Sequence, residues 1–142
     1  MLCADTSFLF SLYGHDTHTE EALALLSETV QPLLLSALNT YELANAFRFA
    51  ECRGLLPTGT AAERLEAFSE DHAAGRWRLS DMPLPVILSE AGRLSASHTL
   101  TGGHRSFDIL HVAHARLVEP RRFLSFDANQ LQLAKSVGLR CS

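Results

Sequence analysis

Short, mostly apolar runs in this chain alternate with longer stretches where apolar residues recur every three or four positions. The short runs at residues 2–5, 33–36, 77–79 and 123–126 read as buried strands, and 139–141 reads as a last edge strand. Between them lie helical periods. Thr6 and Ser7 are natural caps for a helix carrying Phe8, Leu9 and Leu12. Residues 18–30 place Ala22, Leu25, Leu26 and Val30 at helical spacing, until Pro32 stops the pattern. Asn39 and Thr40 open a helix with Leu43, Ala46, Phe47 and Ala50 on one face, closed by Gly54. Residues 58–74 carry Leu65 and Phe68 and end at Gly75; residues 85–99 are stopped by Gly102 and Gly103. Ser106 caps the most regular helix, 107–117, which ends near Pro120, and 129–137 forms the last. Strands alternating with helices predict an α/β fold: one domain over residues 1–142 with a mostly parallel sheet flanked by helices.

Composition narrows this picture only slightly. A chain of 142 residues, 46% of them hydrophobic, is long enough for one well-filled core and too short for two comfortable domains. No apolar run reaches the roughly 20 residues a membrane-spanning helix needs, and the N-terminus lacks a basic region before its apolar stretch. The expected location is therefore the cytoplasm. Cys3, Cys52 and Cys141 are odd in number and widely spaced, which disfavours a disulfide framework or a zinc site; Cys3 reads as a small buried hydrophobe. A net charge of −4 argues against gripping nucleic acid through bulk positive charge. It leaves room for a nuclease, because metal-binding acids make the metal-free chain more negative.

Four acids stand at the edges of the apolar stretches: Asp5 after Met-Leu-Cys-Ala, Glu42 before Leu-Ala-Asn-Ala, Asp108 before Ile-Leu-His-Val-Ala, and Asp127 after Phe-Leu-Ser-Phe. A carboxylate in such a place is costly unless a cation neutralises it. Four converging carboxylates also repel one another, and a hard divalent cation is the simplest remedy. Asp5 and Asp127 follow predicted strands, while Glu42 and Asp108 fall in the expected first turns of predicted helices. Ligand sites of open α/β sheets form at the carboxyl ends of the strands, so all four acids are expected at one edge of the sheet.

The chain also resembles the PIN domains, and within them the VapC-type ribonuclease toxins of toxin–antitoxin pairs. The resemblance rests on Asp5-Thr6-Ser7-Phe8-Leu9, on Glu42 with Asn45-Ala46, and on Arg105-Ser106-x-Asp108-Ile109-Leu110-His111-x-Ala113-x-Ala115. Phe123-Leu124-Ser125-Phe126-Asp127 and Gln130-x-x-Leu133-Ala134-x-x-x-Gly138-Leu139 complete it. These segments run in the family's order and span nearly the whole chain. The resemblance implies a parallel sheet of order 3-2-1-4-5 and an endoribonuclease dependent on Mg²⁺ or Mn²⁺. Its catalytic and metal-binding residues would be Asp5, Glu42, Asp108 and Asp127. Asp5 and Asp108 would bind the principal metal directly; Glu42 and Asp127 would act through water or help hold a second ion. A cognate antitoxin would inhibit the enzyme, homodimers would form, and DNA would be met only through the antitoxin.

Neighbouring residues carry further expectations. Thr6 and Ser7 are suited to hydrogen-bonding Asp5 or a phosphate, Asn45 lies one turn from Glu42, and Arg105 stands where it could grip RNA phosphate. His104 is expected to be exposed in its Gly-Gly-His loop, and His111 to serve helix packing; His15, His18, His72 and His98 read as surface residues. The 61–68 helix and the region of Phe47 and Phe49 are either core or partner surface. Two other functions remain open: a PIN-fold binding module acting within an antitoxin–DNA complex, and a phosphohydrolase with Asp5 as nucleophile. The second would want an acid where the chain has Ser7 and a lysine other than Lys135, the only one present.

Overall fold

In the computed structural model, which describes residues 1–142, four three-residue strands form one parallel sheet. They are β1 (Leu2–Ala4), β2 (Leu33–Leu35), β3 (Trp77–Leu79) and β4 (Arg122–Leu124), in the order β3-β2-β1-β4. Parallel neighbours require crossovers, and helices supply them. The first crossover is α1 (Thr6–Gly14) and α2 (Thr19–Ser27), and the second is α3 (Ala37–Cys52) and α4 (Thr60–Ala73). The third is α5 (Leu84–Gly102) and α6 (Ser106–Val118), and α7 (Ala128–Ser136) follows β4. Register is set by Leu2 opposite Leu33 and Arg122, and by Leu33 opposite Trp77.

The period of two along each strand divides its side chains between two cores. Leu2, Ala4, Leu33, Leu35, Trp77 and Leu124 pack with Phe8, Leu9, Leu43, Phe47 and Phe68 from α1, α3 and α4. Cys3, Leu34 and Phe123 face the other way, against Ile87, Leu94, Val112, Ala113 and Leu133 from α5, α6 and α7. Helices thus cover both faces of the sheet, which is why the central strands β1 and β2 are apolar at every position, while the outer strands admit Arg78 and Arg122. Burial pushes the Cys3 thiol up to about 12, so it is an inert hydrophobe. Phe47, Ala61 and Phe68 belong to the core, whereas Phe49 is exposed.

Several predicted details change. The expected fifth strand is reduced to a single parallel bridge, Phe123 with Cys141, with Phe123 N donating to Arg140 O at 2.8 Å. It lies beyond β4, where the expected order puts a fifth strand. The helix expected at 18–30 stops at Ser27, three residues short of exposed Val30. Helix α3 begins at Ala37 rather than near Asn39, because Asn39 Oδ1 accepts hydrogen bonds from Ser36 N (2.9 Å) and Ser36 Oγ (3.0 Å) and fixes the entry two residues earlier. Glu42 therefore lies beyond the first turn. Ser106 is the first residue of α6, with Arg105 at the cap position. The cap of α1 is Asp5 rather than Thr6 or Ser7.

Candidate active site

The carboxyl ends of β1 and β4 lie side by side, and the chain turns into a helix after each. At the first turn Asp5 caps α1, accepting a hydrogen bond from Phe8 N at 2.9 Å; at the second Asp127 caps α7, accepting from Gln130 N at 3.0 Å. Two serines tie these turns together. Ser7 Oγ donates to the Asp5 carboxylate at 2.8 Å and accepts from Phe126 N at 2.9 Å. Ser125 Oγ donates to Asp5 Oδ2 at 2.7 Å and accepts from Asp127 N at 3.0 Å. Each hydroxyl uses its one proton on Asp5 and a lone pair on a backbone N–H of the turn after β4.

A cleft of about 370 Å³ opens at this edge, lined by Asp5, Thr6, Ser7, Glu42, Arg105, Asp108, His111 and Asp127, with Phe10, His18, Phe126 and Gln130 among the other walls. The four acids singled out from the sequence therefore share one cavity. Asp5, its floor, is 2% exposed. Burial raises its pKa above the ordinary carboxylate value, and the hydrogen bonds from Phe8 N, Ser125 and Ser7 offset this only in part. It takes part in no ion pair, whereas Asp108 and Asp127 both pair with Arg105.

Arg105 spans the rim. Its Nε donates to Asp108 Oδ2 at 2.8 Å and its Nη2 to Asp127 Oδ2 at 3.1 Å. Glu42 is held differently. Burial pushes its pKa up, but hydrogen bonds from His111 and Thr6 outweigh that and hold it below the usual carboxylate range. His111 Nε2 lies 2.6 Å from Glu42 Oε2, and Thr6 Oγ1 donates to the same oxygen. Behind the imidazole, Asn39 Oδ1 is taken by Ser36, so its amide nitrogen faces Ala4 O at 3.0 Å and His111 Nδ1 at 3.3 Å. Nδ1 must then accept, and the ring proton resides on Nε2, directed at Glu42.

Sequence reasoning placed Thr6, Ser7 and Arg105 at this site, and all three line it. Asn45 does not: it is exposed, and the residue facing the cleft one turn from Glu42 is Ala46. The expectation of a packing role for His111 needs correction, because that buried side chain points its Nε2 into the site. Its spacing of three from Asp108 on one helix was the available signal. His104 is buried, with Nδ1 2.6 Å from Asn129 Oδ1, rather than exposed in a loop. His18 is exposed as expected, yet it lines the cleft, stacked on Phe126. The roles of Ser125, Gln130 and Asn39 at the site had no local signal, since Asp5, Asp108 O and His111, which they reach, stand in distant segments.

The donors offered to a cation are carboxylate oxygens, as a hard divalent ion requires, and the buried Asp5 lacks a positive partner. The donor chemistry thus fits Mg²⁺ or Mn²⁺. As the side chains stand, no three Asp, Glu, His or Cys residues close around one point, and Arg105 provides the positive charge at Asp108 and Asp127.

A parallel α/β sheet with an acidic cleft at its carboxyl edge defines a broad class of site. The sequence profile of the PIN domain matches residues 2–136, and the chain belongs to that family. No curated protein sequence matches the chain. Among solved structures it is similar to VapC20 of Mycobacterium tuberculosis, described as a sarcin-ricin loop cleaving toxin, with a TM-score of 0.72, 14% identity, and 98% of this chain and 96% of that one covered. It is also similar to VapBC2 of Rickettsia felis bound to a promoter DNA fragment (TM-score 0.66, 14% identity, 99% and 96% covered). A third is FitAcB of Neisseria gonorrhoeae (TM-score 0.62, 18% identity, 99% and 96% covered). At these identities the likeness is one of fold.

Proposed function

We propose that this chain is a divalent-metal-dependent endoribonuclease of the VapC type, restrained by an antitoxin partner. The observation that carries the reading is the convergence of Asp5, Glu42, Asp108 and Asp127 on one cleft, with Asp5 buried at its floor and without a cation. Asp5 and Asp108 would hold Mg²⁺ or Mn²⁺ directly, and Glu42 and Asp127 would act through water or at a second ion. When bound, the metal supplies an acidified water as nucleophile and neutralises charge developing on the departing 3′ oxygen. The chain's own groups do the positioning. Ser7 and Ser125 hold the Asp5 carboxylate in one orientation, and the Asn39–His111 pair does the same for Glu42. Arg105, with its side chain 73% exposed, is free to exchange a carboxylate for an RNA phosphate.

The VapBC and FitAB relatives support an antitoxin partner, with DNA met through that partner alone. Pairing of two copies belongs to the same proposal, and Leu84 and Leu88, one turn apart on α5, are exposed apolar residues. The cytoplasm remains the expected location; no helix is long and apolar enough to cross a membrane. One observation favours a binding module instead, namely the Arg105 bridge across Asp108 and Asp127. A Mg²⁺ and Mn²⁺ titration of RNA cleavage separates the two. Cleavage that rises with metal and vanishes with chelator is the expected result. Metal-independent cleavage, or full activity in Asp5→Asn, would remove the nuclease assignment.

A further inference from the structure

Three rings form a column from the core to the lip of the cleft. Phe8 is fully buried; Phe126 stacks on it at 5.4 Å between centroids and 20° between planes; His18 stacks on Phe126 at 4.5 Å and 20°. The column ends at His18, whose side chain is half exposed, at 51%. Phe126 and His18 line the same cleft as the acids, and Phe126 directly precedes Asp127, so ring and carboxylate leave Cα atoms only about 3.8 Å apart.

The segment beneath His18 is fixed. Asp16 Oδ1 accepts from His18 N at 2.8 Å, and Asp16 Oδ2 accepts from Ser11 Oγ at 2.8 Å. Asp16 N donates to Thr19 Oγ1 at 2.9 Å, and that hydroxyl donates to Ser11 O at 2.6 Å. Histidine is also a poor choice for the local structural task. His18 occupies the N-cap of α2 yet makes no side-chain cap hydrogen bond there, at a position where Ser, Thr, Asn or Asp would satisfy a free helix N–H. Its ring instead lies flat on Phe126, presenting one face to a neighbour and the other outward.

We propose that this outward face of His18 is a stacking platform for an unpaired nucleobase flanking the RNA phosphate that the cleft engages beside Arg105. The inference rests on the nuclease reading above. Stacking on an aromatic ring is sequence-tolerant and requires a base free of its duplex partner. A ring already fixed by Phe126 below and by the Asp16 network beneath its backbone loses little freedom when a base settles on it. The cleft then divides its work: acids and Arg105 take the backbone, and the ring column takes the base beside it.

The test uses the non-cleaving Asp5→Asn protein and a single-stranded RNA scanned with 2-aminopurine. Quenching at one register is expected on binding. His18→Ala in that background should abolish the quench and weaken binding about 5- to 150-fold, while His18→Tyr restores both. His18 is exposed, so these variants should fold, and matching melting curves check it. An unchanged quench in His18→Ala, or no RNA binding at all, would overturn the platform. So would His18→Ala that binds RNA normally but loses affinity for a partner protein, which would give the ring to a protein side chain. If the quench behaves as expected but wild type cleaves no RNA with Mn²⁺, the platform stands and the nuclease reading falls.

Discussion

Asp5 and Asp127 occupy the same local structure and live in opposite surroundings. Each follows a parallel strand, caps the next helix, and accepts from the backbone N–H three residues on. Asp5 lies at the floor, with only hydroxyl and N–H donors and a raised pKa. Asp127 lies at the rim and shares Arg105 with Asp108. A strand-end aspartate that is merely a cap can look like Asp127. One buried without a cation is stabilised poorly by folding alone, and a site for a missing positive charge explains its presence.

The sharpest way to break the comparison is to neutralise each acid in turn. Asp5→Asn should lower metal-dependent cleavage by at least about 100-fold, the loss expected on removing about 3 kcal/mol of charge stabilisation. Asp127→Asn should cost only about tenfold in kcat/KM and leave stability nearly unchanged, because Asn caps a helix as well as Asp does. Equal losses would erase the distinction between floor and rim. Without metal, the two should also part in stability. Asp5 binds its proton more tightly folded than unfolded, so its ionisation opposes folding, and the cost grows as pH rises through the carboxylate range. Asp5→Asn should then melt higher than wild type near neutral pH, with the difference vanishing in strong acid, where both side chains are neutral.

Arg105→Ala sharpens the rim. With the guanidinium gone, Asp108 and Asp127 are free for a cation, so Mn²⁺ should bind several-fold more tightly while RNA KM rises, as read by calorimetry and steady-state kinetics. A last effect lies away from the acids and bears on stability alone. His114 is buried with Nε2 unpartnered, and burial and the nearby His111 lower its pKa to about 4. Its folded pKa is depressed, so the stability it supports is complete above the unfolded value and is lost as pH falls from about 6.5 towards 4, on the order of 2–3 kcal/mol. Replacing His114 with Leu should flatten that part of the stability–pH curve.

Much of this was legible because the pattern is local. Apolar strands, a mostly parallel sheet and the shared edge of the four acids follow from periodicity and from the rule that sites form at strand carboxyl ends, while the strand order was implied by the family resemblance alone. The errors share a cause too. Glu42 was expected in a first turn because Asn39 looked like an opening residue, whereas Asn39 reaches back to Ser36 and across the sheet edge to Ala4 O and His111. Asn45 was one residue out, since the cleft face of α3 runs through Glu42 and Ala46. Ser125 was invisible because its partner Asp5 lies 120 residues away, and no local period encodes such a contact. His18 looked like an ordinary surface residue until Phe126 was found beneath it.

The charge account is tested most directly by following thermal unfolding of wild type and Asp5→Asn across a Mn²⁺ titration. Binding to the native state alone raises stability, and with it Tm, as the logarithm of one plus the ratio of free Mn²⁺ to Kd. Wild type should start lower and climb with Mn²⁺, whereas Asp5→Asn should start higher and barely move. A flat wild-type curve, or two curves that climb together, would contradict the claim that the buried floor acid is there to hold a cation.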